Sequence, residues 1–97
     1  MITSKQRAYL RKLVHDMEPI FQVGKSGITP ELVQAIDEAL EARELIKVTV
    51  LKNCEEDVRS ICEKVTSRTH SDPVLVIGHK FSIYRAADKP KLELPKK

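Results

Sequence analysis

The stretch FQVGKSGITPEL, residues 21–32, decides how the rest of the chain is read. Phe21, Gln22 and Val23 close a strand-like run that begins at Pro19. Thr29 stands as a helix N-cap, with Pro30 at the first helical position and Glu31 behind it. Between strand and helix lies Gly24-Lys25-Ser26-Gly27, which takes two of the chain's three glycines. A strand, a tight GxxG and a helix make one β-α step. The GxxG itself has two physical readings. It is either an ordinary turn needing a left-handed residue, or a loop that lets a ligand approach the backbone. In the second reading the missing Cβ opens the approach and amides near a helix N-terminus favour a phosphate. Lys25 then adds a mobile cation and Ser26 a hydroxyl donor.

Working outward, residues 3–17 predict a first helix. Thr3 and Gln6 form a capping-box pattern, and Leu10, Leu13, Val14 and Met17 share one face. Pro19 is expected to end it. The helix begun at Pro30 is expected to run to about Glu44, burying Val33, Ile36 and Leu40, with Ala35 and Ala39 allowing close packing. LIKVTVL, residues 45–51, alternates as a strand does, with Ile46, Val48 and Val50 on one face. Asn53, with Glu56 three residues on, predicts the cap of a third helix whose stripe is Val58, Ile61, Cys62 and Val65. Residues 67–73 read as a loop. Val74-Leu75-Val76-Ile77, apolar throughout, predicts a central strand covered on both faces. Gly78-His79-Lys80 turns into a last strand, Phe81 to Arg85, and the segment after Ala87 is expected to be irregular or extended. The order α-β-α-β-α-β-β predicts an α/β domain with a four-stranded mixed sheet. Its β-α-β steps are expected to give parallel pairs with right-handed crossovers, and its last two strands an antiparallel hairpin.

The 97 residues are 41% hydrophobic and 32% charged, which predicts a single soluble, globular domain. The longest aliphatic run is far too short to cross a bilayer, and residues 1–15 are amphipathic, so neither a membrane span nor a signal peptide is expected. Cys54 and Cys62 are expected to be free thiols in a reducing cytoplasm. The three histidines, His15, His70 and His79, show no metal-ligand spacing with each other or with the cysteines. No nucleophile, Walker or dinucleotide motif is present. An enzyme is therefore disfavoured, and no cofactor, metal or small-molecule substrate is expected.

Net charge is +3, but its distribution is uneven. Lys5, Arg7, Arg11 and Lys12 give residues 1–15 a charge of +4. Residues 79–97 carry +4, six basic against two acidic side chains. Residues 31–44 carry −4, from Glu31, Asp37, Glu38, Glu41 and Glu44 against Arg43. A basic face of this kind meets a phosphate backbone or is simply solvated. Lys47 stands alone among aliphatics, either solvent-facing or a phosphate contact beside the GxxG. Arg68 and His70 are placed in a loop that would extend a basic surface. Phe81 and Tyr84 are potential stacking residues, Phe81 fitting a core position better.

The combination of motifs resembles the CRM domain family, named for chloroplast RNA splicing and ribosome maturation, and in particular its stand-alone bacterial members of the YhbY type. The resemblance is carried by Lys5-Gln6-Arg7 and Leu10 to His15, then Val23-Gly24-Lys25-Ser26-Gly27-Ile28-Thr29. It continues through Ile36-Asp37-Glu38-Ala39-Leu40, Glu44-Leu45-Ile46-Lys47-Val48 and Val76-Ile77-Gly78 to Leu92-Glu93-Leu94-Pro95. It implies a compact fold similar to the C-terminal domain of translation initiation factor three, over residues 1–88, with 89–97 as a basic tail. It also implies a non-catalytic RNA-binding protein that associates with ribosomal RNA in the precursor of the large subunit and assists its assembly; separately, the chain is expected to be a monomer. The implied RNA surface comprises Gly24, Lys25, Ser26 and Gly27, widened by Lys47 and by Lys5, Arg7, Arg11 and Lys12. The alternative is an adaptor that docks on a ribosomal protein or assembly factor through its acidic second helix.

Overall fold

The structure, a computed structural model, describes residues 2–95. Lys96 and Lys97, counted above in the basic tail, lie outside the described residues, as does Met1. The elements are α1 (Ser4–Val14), β1 (Phe21–Val23), α2 (Pro30–Arg43), β2 (Leu45–Val50), α3 (Val58–Thr69), β3 (Asp72–Ile77) and β4 (Lys80–Tyr84). They build one four-stranded sheet in the order β1-β2-β4-β3. β1 runs parallel to β2, and β4 is antiparallel to both β2 and β3. The expected α/β mixed sheet is therefore the observed one.

Alternation along the strands divides the core in two. Ile46, Val48 and Val50 of β2 and Phe81 and Ile83 of β4 pack with Ile36 and Leu40 of α2 and Ile61, Cys62 and Val65 of α3. Leu45 and Tyr84 point to the opposite face and pack with Leu10 and Val14 of α1. Full burial of aliphatic side chains such as Leu10, Ile36 and Ile61 stabilises by roughly 1.5–3 kcal/mol each relative to exposure. In α2 the buried stripe is Ile36 and Leu40, with Leu32 packed beside them, whereas Val33 is only half-buried.

The local signals hold at two helix starts. Thr3 Oγ1 accepts from the Gln6 N–H at 3.1 Å, and the Gln6 side chain accepts from the Thr3 N–H at 2.9 Å, a complete capping box. Thr29 Oγ1 accepts from the Leu32 N–H at 3.1 Å, with Pro30 opening α2. The first helix stops at Val14, before Met17 and Pro19, so proline is not what ends it. There the Lys47 ammonium donates to the carbonyls of Val14 and Met17, at 3.0 and 3.3 Å. A cation at a helix C-terminus satisfies carbonyls that have no partner within the helix.

Four expectations need correction. Asn53 does not cap α3. It sits in a turn closed by the Cys54 N–H on the Leu51 carbonyl, and Asp57 caps the helix by accepting from the Ser60 N–H at 2.7 Å. The segment 67–73 is not a loop, because α3 continues to Thr69 and β3 begins at Asp72. Only His70 and Ser71 lie between them, and His70 ends the helix in the left-handed conformation with φ +55°. β3 is not central but lies at the edge of the sheet. The tight turn at Gly78 and His79 lays β4 back between β3 and β2, so Ile77 is left 58% exposed. Consequently β2 and β3 never pair, and β1–β2 is the sheet's one parallel pair among the described residues.

The segment after β4 has no regular secondary structure, as expected, yet it is packed. Leu92 and Leu94 lie against the α1-side core. Pro95 accepts from the Gln6 side-chain amide at 3.0 Å. Residues 89–95 thus close over the base of α1.

Candidate nucleic-acid interface

Gly24 to Gly27 form a hydrogen-bonded turn, with the Gly27 N–H on the Gly24 carbonyl at 2.9 Å. The two glycines are not equivalent. Gly27 has φ +65°, a backbone conformation that a side chain strains. Gly24 is outside that region, and an added Cβ would meet Asn53 Oδ1 and Leu51 Cδ1 at an ordinary 3.5 Å. The turn therefore demands glycine only at Gly27. Lys25 and Ser26 are exposed at its tip.

Sheet register gathers three loops at this end. The Leu51 N–H donates to the Val23 carbonyl at 2.8 Å, and the Val50 N–H to the His79 carbonyl at 2.6 Å. Lys25 thus shares the end with Lys52, His79 and Lys80, three residues not singled out from the sequence as site members. No local pattern marks them, since only strand register brings them together. Acids are also near. Glu56 Oε1 would lie 3.9 Å from a Cβ on Gly27. The Lys64 ammonium pairs with that carboxylate, Ser60 hydrogen-bonds to it, and both hold its pKa below the usual value. A polyanion approaching over α3 meets this carboxylate, whereas one approaching from the α1 side does not.

On the α1 side the predicted basic residues divide by role. Lys5 and Lys12 are exposed. Arg7 and Arg11, one helical turn apart, each donate an Nε–H to β3, to the carbonyls of Pro73 at 3.0 Å and Val74 at 3.1 Å. These carbonyls sit where the β3–β4 register shifts, on the sheet's edge strand. Covering an edge with charged side chains is a common way to block further strand pairing. A guanidinium has five donors, so each arginine retains terminal N–H groups for an anion. Lys47 is half-buried on the same side and committed to the end of α1, three residues of strand, or roughly 10 Å, from the GxxG end.

The aromatic expectations shift. Phe81 and Tyr84 are buried, 1% and 5% exposed, so neither offers a stacking face. Burial raises the Tyr84 pKa, and the neighbouring Glu44 adds to the rise. The exposed aromatic is Tyr9 on α1, between Lys5 and Lys12 at helical spacings of four and three. Its basic neighbours at those spacings were the signal available in the sequence.

The acids of α2 are largely spent inside the molecule. Asp37 pairs with Arg85 at 2.5 Å, and Glu41 lies 3.8 Å from the same guanidinium and accepts from the Asp88 N–H at 2.9 Å. Glu44 is buried at the C-cap of α2 with φ +67°. Its carboxylate accepts from the N–H groups of Ala87, Lys91 and Leu92 at 2.9, 2.6 and 2.8 Å. Burial pushes its pKa up, but these three backbone bonds outweigh that and leave it below the ordinary value. Arg68 lies in the last turn of α3 on this same acidic side, not in a loop.

Among the described residues no helix is long and apolar enough to cross a membrane, and no cluster of His, Cys, Asp or Glu suits a metal ion. The CRS1 / YhbY (CRM) domain matches residues 2–85. The chain belongs to this family. Among its CRM relatives is "Probable RNA-binding protein YqeI" of Bacillus subtilis, 46% identical over 98% of this chain and all of that protein. An "RNA-binding protein" of Haemophilus influenzae is 32% identical over 99% of this chain and 97% of its own length. The solution structure of the hypothetical protein SAV1595 from Staphylococcus aureus, 47% identical, superposes with a TM-score of 0.83 over 98% of this chain and 100% of that one. The CRM fold is therefore common to this chain and that solved structure.

Proposed function

We propose that this protein binds RNA without catalysis, along a track from the GxxG turn over the α1 side of the sheet to the outer face of α1. Lys25 and Ser26 contact phosphate, Gly27 sets the turn, and Gly24 leaves room for the strand to approach. Lys5, Lys12 and the free guanidinium N–H groups of Arg7 and Arg11 continue the contact, with Tyr9 as a stacking face. One observation carries the reading: the two sides of the sheet differ in charge. The α1 side presents Lys5, Arg7, Arg11, Lys12, Lys47 and Lys80, while the acidic residues of α2 lie on the other side and are mostly engaged with Arg85 and the C-terminal segment. That asymmetry also disfavours docking of a partner through an acidic α2. The names of the CRM relatives, RNA-binding proteins over nearly their whole lengths, support the same reading.

The finer proposal is that the RNA is ribosomal, in the cytoplasmic precursor of the large subunit, and that binding assists assembly. It is supported by the likeness to single-domain YhbY-type proteins. Crosslinking in cells, followed by sequencing of the bound fragments, tests it. Recovery of large-subunit ribosomal RNA is the expected result, and fragments without ribosomal enrichment would remove the assembly role.

A further inference from the structure

The sheet face beyond the end of α1 is left open. α1 covers Leu45 and Tyr84 and stops at Val14. Next to it lies a groove of about 210 Å³, smaller than the roughly 300–1,000 Å³ that encloses a drug-sized ligand. Its apolar lining comes from Val14 at the end of α1 and from Leu75 and Ile77 on the edge strand β3. Ile77, 58% exposed, is the most exposed large aliphatic side chain among the described residues. Lys47, Lys80 and His15 also line the groove, with the buried Ser82 between Lys47 and Leu75 in the strand register, and no carboxylate among the described residues lines it. Lys47 spends two ammonium protons on the carbonyls of Val14 and Met17 and retains a third.

Apolar side chains beside cations suit a ligand that is flat and apolar on one part and anionic on another. A small volume open on one side suits a fragment attached to something larger. We infer that the groove holds one unpaired nucleotide of the bound RNA, its base on Ile77 and Leu75 and its phosphate at Lys80 and the third proton of Lys47. This rests on the RNA-binding reading above and adds to it a base contact. Bases in a duplex are stacked away from such a surface, so the strand here is single.

The test compares a short oligouridine with an abasic oligomer of equal length and charge, titrated into the wild type, Ile77→Ala and Lys80→Ala. The wild type is expected to prefer oligouridine. Ile77→Ala is expected to lose about fivefold on oligouridine, the scale of removing a partly buried aliphatic contact, and nothing on the abasic chain. Lys80→Ala is expected to weaken both. Should Ile77→Ala melt early, Ile77→Thr keeps a β-branched residue on the edge strand and takes its place. Equal wild-type binding of the two oligomers overturns the base contact, as does an Ile77 variant that binds both as the wild type does. In either case RNA binding itself stands. A wild type that binds neither oligomer overturns both readings. An Ile77 variant that retains both oligomers but loses self-association or large-subunit particles assigns the groove to a protein contact and overturns the nucleotide.

Discussion

The Leu92 N–H donates to Glu44 Oε1 at 2.8 Å, joining the C-terminal segment to the end of α2 across 48 residues of sequence. The Lys91 N–H shares that oxygen and the Ala87 N–H takes the other. The side chain is fully buried, and these three partners are all backbone donors. Glu44→Gln keeps the shape but turns an amide NH2 toward a backbone N–H. We expect a loss of about 2–3 kcal/mol, the scale of hydrogen bonds to a buried charge, measured by urea denaturation. Unchanged stability would show that the segment is held by Leu92 and Leu94 alone.

The same carboxylate predicts an acid response. Its folded pKa is depressed below the ordinary 4.5, so its contribution is fully present above that value and is lost as pH falls through the folded pKa. The protection factors of the Leu92 and Lys91 amides, which correct for the intrinsic slowing of exchange in acid, are therefore expected to fall below about pH 4.5, ahead of global unfolding. Protection that persists until the whole domain unfolds would contradict local release.

The glycines of the GxxG turn are expected to separate. Gly27→Ala forces a side chain at φ +65° and costs about 1–2 kcal/mol. Gly24→Ala meets only ordinary contacts and is expected to leave stability within about 0.5 kcal/mol. Gly24→Asp is expected to fold normally while weakening RNA binding, because it places a carboxylate where the phosphate approaches. Thermal melts paired with filter-binding titrations check both halves.

Affinity for RNA is expected to fall steeply with salt, since each neutralised phosphate releases counterions. Lys25→Ala reduces the slope of log K against log salt by about one if Lys25 contacts a phosphate directly. An unchanged slope with a uniformly lower affinity assigns Lys25 to the general field instead.

The two cysteines differ in reactivity. Burial pushes the Cys62 thiol up to about 11, and the neighbouring Glu63 adds to the rise, whereas Cys54 is only partly buried. A maleimide probe is expected to label Cys54 in the native protein and Cys62 only after denaturation. Rapid labelling of Cys62 under native conditions would require local opening of α3.

Short-range chemistry was legible in the sequence. Thr3 with Gln6, and Thr29 with Pro30, set the starts of α1 and α2 because a cap needs only residues within one turn. Alternation in β2 fixed which side chains face α2 and α3. The GxxG turn and the basic character of α1 were equally visible. Two local signals compete at the start of α3. Asn53 with Glu56 and Asp57 with Ser60 both offer a cap, and the apolar stripe that starts at Val58 favours Asp57. The uniform run Val74 to Ile77 is compatible with a central or an edge strand, since its composition does not say what lies beside it.

Sequence alone thus determined the order of elements, the GxxG turn and the basic character of the first helix. Tertiary structure decided the rest, because pairing and charge neutralisation act between residues far apart in the chain. Insertion of β4 between β2 and β3 put β3 at the edge and exposed Ile77. Strand register set Lys80 beside Thr49 and brought its loop to the GxxG end. Packing turned Lys47 to the carbonyls of α1 and Glu44 to the amides of the C-terminal segment. Both are charges whose partners no local spacing reveals.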